Sequence, residues 1–131
     1  MKIKLLLLSS LALLIALAPV NAMSAEDTIQ GKVETYTCIL ENKSCAKGPN
    51  DPVAMAEDCF VVLLPDGKYY FVVNVDCKFM ARLVTQTIKV NGTKDPKYDA
   101  IKADTIELIQ DGKSRVIFNR ASEFNPPPKI K

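Results

Sequence analysis

The stretch that most constrains the fold is residues 59–93, CFVVLLPDGKYYFVVNVDCKFMARLVTQTIKVNGT. Two runs rich in β-branched and aromatic residues, 60–64 and 69–73, flank Pro65-Asp66-Gly67-Lys68. Such runs suit a pleated, half-buried surface. An Asp-Gly pair between them is a strong hairpin signal, because both residues tolerate the positive φ of a type I′ turn. The spacing predicts two strands joined by a two-residue turn, with Cys59 opposite Asn74. Asp76 then reads as the N-cap of a short helix carrying Phe79, Met80 and Leu83 on one side at three-four spacing. Residues 86–93 read as a further strand that ends at the turn signal Asn91-Gly92.

Upstream, residues 29–40 alternate with a period of two. Ile29, Gly31, Val33, Thr35 and Thr37 fall on one face, and Gln30, Lys32, Glu34 and Tyr36 on the other. This is the pattern of a first strand, and Gly31 within it suggests a bend or bulge. Residues 41–58 carry Asn42, Gly48, Pro49, Asn50, Asp51 and Pro52, marks of a long loop, with a helical turn at 52–57. A loop of this length is usually functional or held by cross-links. Downstream, a polar connector at 94–99 leads to a strong strand at 100–110. A second Asp-Gly turn, Asp111-Gly112, then leads to a strand through Phe118 that makes an extra hairpin. Residues 123–131 contain Pro126-Pro127-Pro128, which cannot pair in a sheet and favours an extended, solvated tail.

Residues 1–22 read as a cleaved signal peptide. Lys2 and Lys4 precede an uncharged apolar run at 5–18, and Val20-Asn21-Ala22 supplies the small residues of a cleavage site. Its removal leaves 109 of the 131 residues, which make one domain at 23–122 followed by the tail. The expected location is periplasmic or secreted, with no membrane span after cleavage. Lys2 and Lys4 also account for the whole excess of 17 basic over 15 acidic residues, so the mature chain carries 15 of each. A balanced chain with interspersed charges has no field for steering nucleic acid, which argues against that partner. The sequons at Asn42 and Asn91 matter only in a cell that glycosylates exported proteins.

Cys38, Cys45, Cys59 and Cys77 are the four cysteines. Export makes disulfides the first reading, since oxidising compartments pair exposed thiols. Three connectivities are open. All four cysteines gather at one pole of the domain, around the long loop, and Cys38–Cys45 with Cys59–Cys77 is the favoured pairing. The competing reading is a Cys₄ metal site or a reactive thiol. The intervals of 6, 13 and 17 residues offer neither a zinc knuckle nor a Cys-x-x-Cys redox pair.

Strand, long loop, hairpin, short helix, strand, strand is the element order of the five-stranded OB barrel, with a helix between strands three and four. The chain resembles small exported bacterial OB-fold proteins of uncharacterised function. The resemblance rests on Gly31-Lys32-Val33, Cys38, Cys45-Ala46, Pro52-Val53, Asp66-Gly67-Lys68-Tyr69, Val90-Asn91-Gly92 and Ile101-Lys102-Ala103-Asp104-Thr105-Ile106. It departs from them in having no histidine and in the added Phe118 hairpin. The fold expectation is therefore a mainly β, small five-stranded OB-like barrel, with a short helix between strands 3 and 4 and an extra C-terminal hairpin. A second resemblance, to periplasmic inhibitors of lysozyme, rests on Tyr36-Thr37-Cys38 and the same hairpin. Residues 75–84 have nothing like the Ser-Gly-x-x-Tyr inhibitory motif of those proteins.

Without histidine there is no Ser-His or Cys-His activation, and no phosphate-binding glycine loop is present. The expectation is a non-enzymatic binding module with no cofactor and no metal. Its ligand would be a protein, peptide or glycan of the cell envelope. The alternatives are a cysteine-based metal or thiol-redox protein, and an inhibitor of a cell-wall hydrolase. OB barrels present ligands to strands two and three and to the loops beside them. The candidate ligand residues are accordingly Lys68, Tyr69, Tyr70 and Phe71, with Lys78 and Arg82 as neighbouring cations. Tyr69 and Phe71 point one way and Tyr70 the other, so one set fills the core.

Overall fold

The computed structural model describes residues 26–43 and 45–124. The expected signal peptide, and the tail beyond residue 124, lie outside the described residues. The protein is mainly β, with six strands in one sheet and four short helices among the described residues. The strands are β1 (Asp27–Thr35), β2 (Phe60–Leu63), β3 (Tyr69–Val72), β4 (Thr87–Lys94), β5 (Ala100–Gln110) and β6 (Lys113–Asn119). The helices are α1 (Tyr36–Glu41), α2 (Pro52–Ala56), α3 (Cys77–Ala81) and α4 (Arg120–Phe124). Sheet order is β3-β2-β1-β4-β5-β6 with antiparallel neighbours, and β3 also pairs with β5 in parallel through Phe71↔Ala100 and Val72↔Ile101. The count is six strands, not five, because β6 returns from β5 through a tight turn and joins the same sheet. No described helix is long and apolar enough to cross a membrane.

The first strand is shorter than its alternation predicts. It ends at Thr35, where the ladder to β2 closes with Thr35↔Phe60, and Tyr36 N–H donates to the Cys59 carbonyl. The chain then turns into α1, which ends at Asn42 in the left-handed region (φ 52°). The Cys38–Cys45 disulfide closes over this turn and holds residues seven apart at a Cα–Cα distance of 4.8 Å. Gly31 sits where β1 passes from pairing with β4 to pairing with β2. A Cβ there would collide with the Leu63 carbonyl.

The two Asp-Gly turns differ. At Asp111-Gly112 both residues have positive φ (51° and 72°), and Gln110 pairs directly with Lys113, a two-residue type I′ hairpin. At Asp66-Gly67 only Gly67 is positive (φ 88°), and the loop has three residues: Leu64 N–H donates to the Lys68 carbonyl, and Gly67 N–H to the Leu64 carbonyl. The cause is Pro65, whose ring presets the first position of a type I turn and leaves the glycine to close a bulge. The register is therefore Leu63↔Tyr69 and Val62↔Tyr70. Continued to the strand's start, it sets Cys59 opposite Val73, one place from the expected Asn74.

Asn91-Gly92 is likewise not a turn. β4 runs through it to Lys94, and the register against β5 shifts from Asn91↔Thr105 to Gly92↔Ala103. The extra residue, Asp104, is a β-bulge. It lets Ile101 and Ala103 on one side of it, and Ile106 and Leu108 on the other, all face the interior. They pack with Ile29, Val33, Val62, Val84, Ile88 and Val90 in one core. The short helix α3 is capped by Asp76, whose side chain accepts Lys78 N–H at 2.6 Å. It buries Met80 and sets Phe79 6.2 Å from Phe118, ring to ring. Helix α4 runs through Glu123 and Phe124, the first two residues of the expected tail.

Candidate ligand-binding face

Cross-strand rows define the outer face opposite the core. Lys32, Leu63 and Tyr69 form one row by direct pairing. Moving two residues along each strand gives the next row, Glu34, Val61 and Phe71, since side chains two apart share a face. Val61 is fully buried but lies outside the main core, because the aromatic residues of this outer face cover it. Tyr36, at the start of α1, joins them. Its ring lies 4.9 Å from Phe71 edge-on and 5.8 Å from Tyr69, and Tyr69 lies 6.0 Å from Phe71 at a right angle. Edge-to-face contacts at these distances are attractive beyond the area they bury. All three residues remain half-exposed. The Tyr36 hydroxyl beside it, with burial and the Asp99 carboxylate adding to the effect, pushes the Tyr69 phenol above its ordinary value. The Tyr69 ring therefore stays neutral at physiological pH.

Lys32 and Glu34 of β1 carry charge on this face. Lys32 Nζ lies 2.6 Å from Glu34 Oε1, and Glu34 is 5 % exposed. Its Oε2 is buried without a hydrogen-bond partner among the described residues. Lys68 is exposed at the hairpin tip, where its N–H donates to Asp66 Oδ1.

Of the expected ligand residues, Tyr69 and Phe71 point outward together, and Lys68 precedes them in the chain at the exposed hairpin tip. Tyr70 does not belong with them: it packs against the core, with Lys94 Nζ 5.0 Å from its ring centroid. The alternation along β3 requires this division, and the bonds to neighbouring strands decide its sense. Lys78 and Arg82 are not brought to this face. Lys78 borders a separate pocket of about 350 Å³ with Cys77, Phe60 and Met55, and Arg82 is exposed at the end of α3. Tyr36 was not among the expected residues, because its alternation assigned it to the charged face of a longer strand.

The cysteines divide in two. Cys38 and Cys45 form a disulfide. Cys59 and Cys77 are free and exposed, so the expected Cys59–Cys77 bridge is not made in this structure. The three-residue hairpin loop accounts for part of the difference, since it moves Cys59 one register position away from Cys77. No group of three or more His, Cys, Asp and Glu side chains able to hold a metal ion occurs among the described residues. The long loop after Cys45 is tied down by Asp51, whose carboxylate accepts the N–H groups of Lys47 and Val53 at 2.9 Å each. Those two bonds hold the Asp51 carboxyl below its ordinary value. Compared with known protein families, with curated proteins and with solved structures, the chain matches none.

Proposed function

We propose that this protein is an exported, non-enzymatic binding module. In this reading β1–β5 make an OB-like barrel, β6 is an appended strand, and the outer face of β2 and β3 receives the ligand. The barrel reading is supported by the parallel β3–β5 pairing, which links the two ends of the order β3-β2-β1-β4-β5, and by α3 lying between β3 and β4. The observation that carries the binding reading is the outward cluster of Tyr36, Tyr69 and Phe71. Rigid aromatic rings suit stacking on sugar rings or peptide side chains at low entropic cost. Cell-envelope glycans and peptides are the ligand class that fits.

The test is a titration of the isotope-labelled mature chain with soluble cell-wall glycan fragments and with envelope-derived peptides, followed by amide chemical shifts. One of these ligands is expected to move the signals of residues 61–63, 69–73 and Tyr36. Phe71→Ala with Tyr69→Ala should abolish the effect while leaving the remaining spectrum folded. Shifts elsewhere, or shifts that survive the double substitution, refute this face.

A second reading, thiol chemistry, is favoured by one observation. Cys59 and Cys77 are both free and exposed, and Cys77 lines the pocket that also contains Asp58 and Phe60, the chain neighbours of Cys59. Alkylation of the natively exported protein before and after reduction separates the two. Four additions only after reduction would remove this reading, and two additions before reduction would support it.

A further inference from the structure

Strand β6 is the part of the sheet that the aromatic face does not use, and it is an open edge. The parallel β3–β5 pairing gives β3 a second neighbour, whereas β6 pairs with β5 alone. Outside that ladder, residues 113–118 make no backbone hydrogen bond to the backbone of the described residues. In an antiparallel ladder, every second residue of an edge strand directs its N–H and C=O to the open side. Lys113, Ser114, Arg115 and Val116 are all exposed, Val116 by 56 %. The ladder runs regularly from Gln110↔Lys113 to Glu107↔Val116 and then shifts at Ile117, which sets the end of the regular edge.

The register also sorts the side chains of this edge. Arg115 pairs with Leu108 and Lys113 with Gln110, so both cations stand on the side of the sheet where Leu108 enters the core. Ser114 and Val116 stand on the other side, where Ser114 Oγ donates to Glu107 Oε2. Two residues along a strand, Lys113 and Arg115 are about 6.8 Å apart on one side of the edge. Neither is in an ion pair among the described residues. They border a concavity of about 410 Å³ with Leu108 and Gln110, and Asp111 of the turn is the one acidic residue in its lining. These charges decide which strand can add here. In a symmetric antiparallel pairing of two copies, both pairs of cations would fall on one side in neighbouring positions, which is destabilising.

We propose that the open edge of β6 is a docking site for an extended acidic segment of a partner protein, which adds to the sheet as a further strand. Its carboxylates, two residues apart, stand beside Lys113 and Arg115, and its apolar side chains lie on the other side, beside Val116. Main-chain hydrogen bonds supply the attraction that any extended segment would share, and the alternation of acidic and apolar residues supplies the choice of partner. The same two cations discourage bare apolar strands from pairing with the edge. This site is separate from the outer face of β2 and β3 and stands independently of the binding reading above.

The test uses capped peptides of one alternation: Thr-Glu-Val-Glu-Val-Thr, the same peptide with glutamine for glutamate, and the same with lysine. A fourth is the glutamate peptide N-methylated at its four central residues. Each is titrated into the isotope-labelled chain, residues 23–131, and followed by amide chemical shifts. The glutamate peptide is expected to shift the amides of residues 113–117 most, to bind several-fold more tightly than the glutamine peptide, and to weaken as salt is raised. Lys113→Gln with Arg115→Gln, both at exposed positions, should bring the glutamate peptide within twofold of the glutamine peptide. N-methylation should abolish binding, because it removes the donors that meet the edge. The proposal is overturned by largest shifts elsewhere, by equal binding of the lysine peptide, or by glutamate-peptide affinity unchanged in the double variant or after N-methylation. It is overturned equally if none of the peptides binds, which leaves a protected edge only. Amides of residues 113–117 that become protected from exchange as the concentration of the free chain rises would put a second copy there and overturn it too.

Discussion

Opening the Cys38–Cys45 disulfide tests the assignment of the cysteines most directly. The bridge joins residues seven apart, so it closes a loop of eight. Chain-entropy arithmetic for a loop that short gives about 2.5 kcal/mol of stability, gained by restricting the unfolded chain. Replacing Cys38 by Ala and Cys45 by Ser removes that constraint. In a domain of this size the loss corresponds to roughly 10–20 °C in Tm. It corresponds to about 1–2.5 M in the urea midpoint, given an ordinary m of about 1–3 kcal/mol/M. The assay is equilibrium urea unfolding of residues 23–131, followed by far-ultraviolet circular dichroism. The matched control replaces Cys59 and Cys77 by Ser. Both are exposed and free, so their loss should cost less than about 0.5 kcal/mol, as for other surface positions. Had they been bridged, the longer loop would have cost about 3 kcal/mol. A Cys38/Cys45 variant as stable as the parent, or a Cys59/Cys77 variant about 3 kcal/mol weaker, refutes the reasoning.

Thr85 adopts φ 70° between α3 and β4, a conformation that costs a residue with a Cβ about 1–2 kcal/mol. Thr85→Asn, whose side chain tolerates that region, should raise stability by about 1 kcal/mol in the same urea assay. Gly31→Ala should cost about 1–3 kcal/mol, because the new methyl meets the backbone carbonyl of Leu63 and the strands must part. The Glu107 carboxyl is held below its ordinary value by hydrogen bonds from Ser114, Lys89 and Asn91. A lowered folded-state value means that its contribution is present above about pH 4.5, the ordinary value, and is lost as pH falls through the lowered one. Glu107→Gln should therefore flatten the acid side of the stability profile measured by urea midpoints from pH 7 to pH 3.

Much of the fold is legible in the chain. The pattern at 100–110 predicts a strand, and β5 has those limits. Asp76 caps α3 as its position predicts. The break in alternation between Ala103 and Ile106 is the visible trace of the bulge at Asp104, although only the shift against Asn91-Gly92 identifies it. Local chemistry was decisive wherever one residue controls a dihedral angle. Pro65 before Asp66-Gly67 calls for a type I turn with a bulge, whereas Asp111-Gly112, lacking a preceding proline, takes the type I′ form. Pro65 thereby shifts the register by one residue from that of a two-residue Asp-Gly turn.

The candidate site was less legible, for a different reason. A period of two shows that Tyr69 and Phe71 oppose Tyr70, but an isolated strand has no inside. The pairing of β3 with β2 and β5, around a core of Ile88, Ile101 and Ile106, decides which side is wet. Tyr36 reaches Phe71 only because α1 folds the chain back at Thr35, and residues 36–40 by themselves favour a strand. Val73 meets Tyr98, which the β4–β5 connection carries, only through the parallel contact of β3 with β5. By itself the sequence determined β2, β3, β5 and α3, the Asp76 cap and the two Asp-Gly turns, because these are set by dihedral preferences and contacts a few residues apart. The tertiary structure alone decided which aromatic residues face solvent, which cysteines pair, and that Val73 meets Tyr98. Those depend on contacts between segments whose approach no local preference encodes.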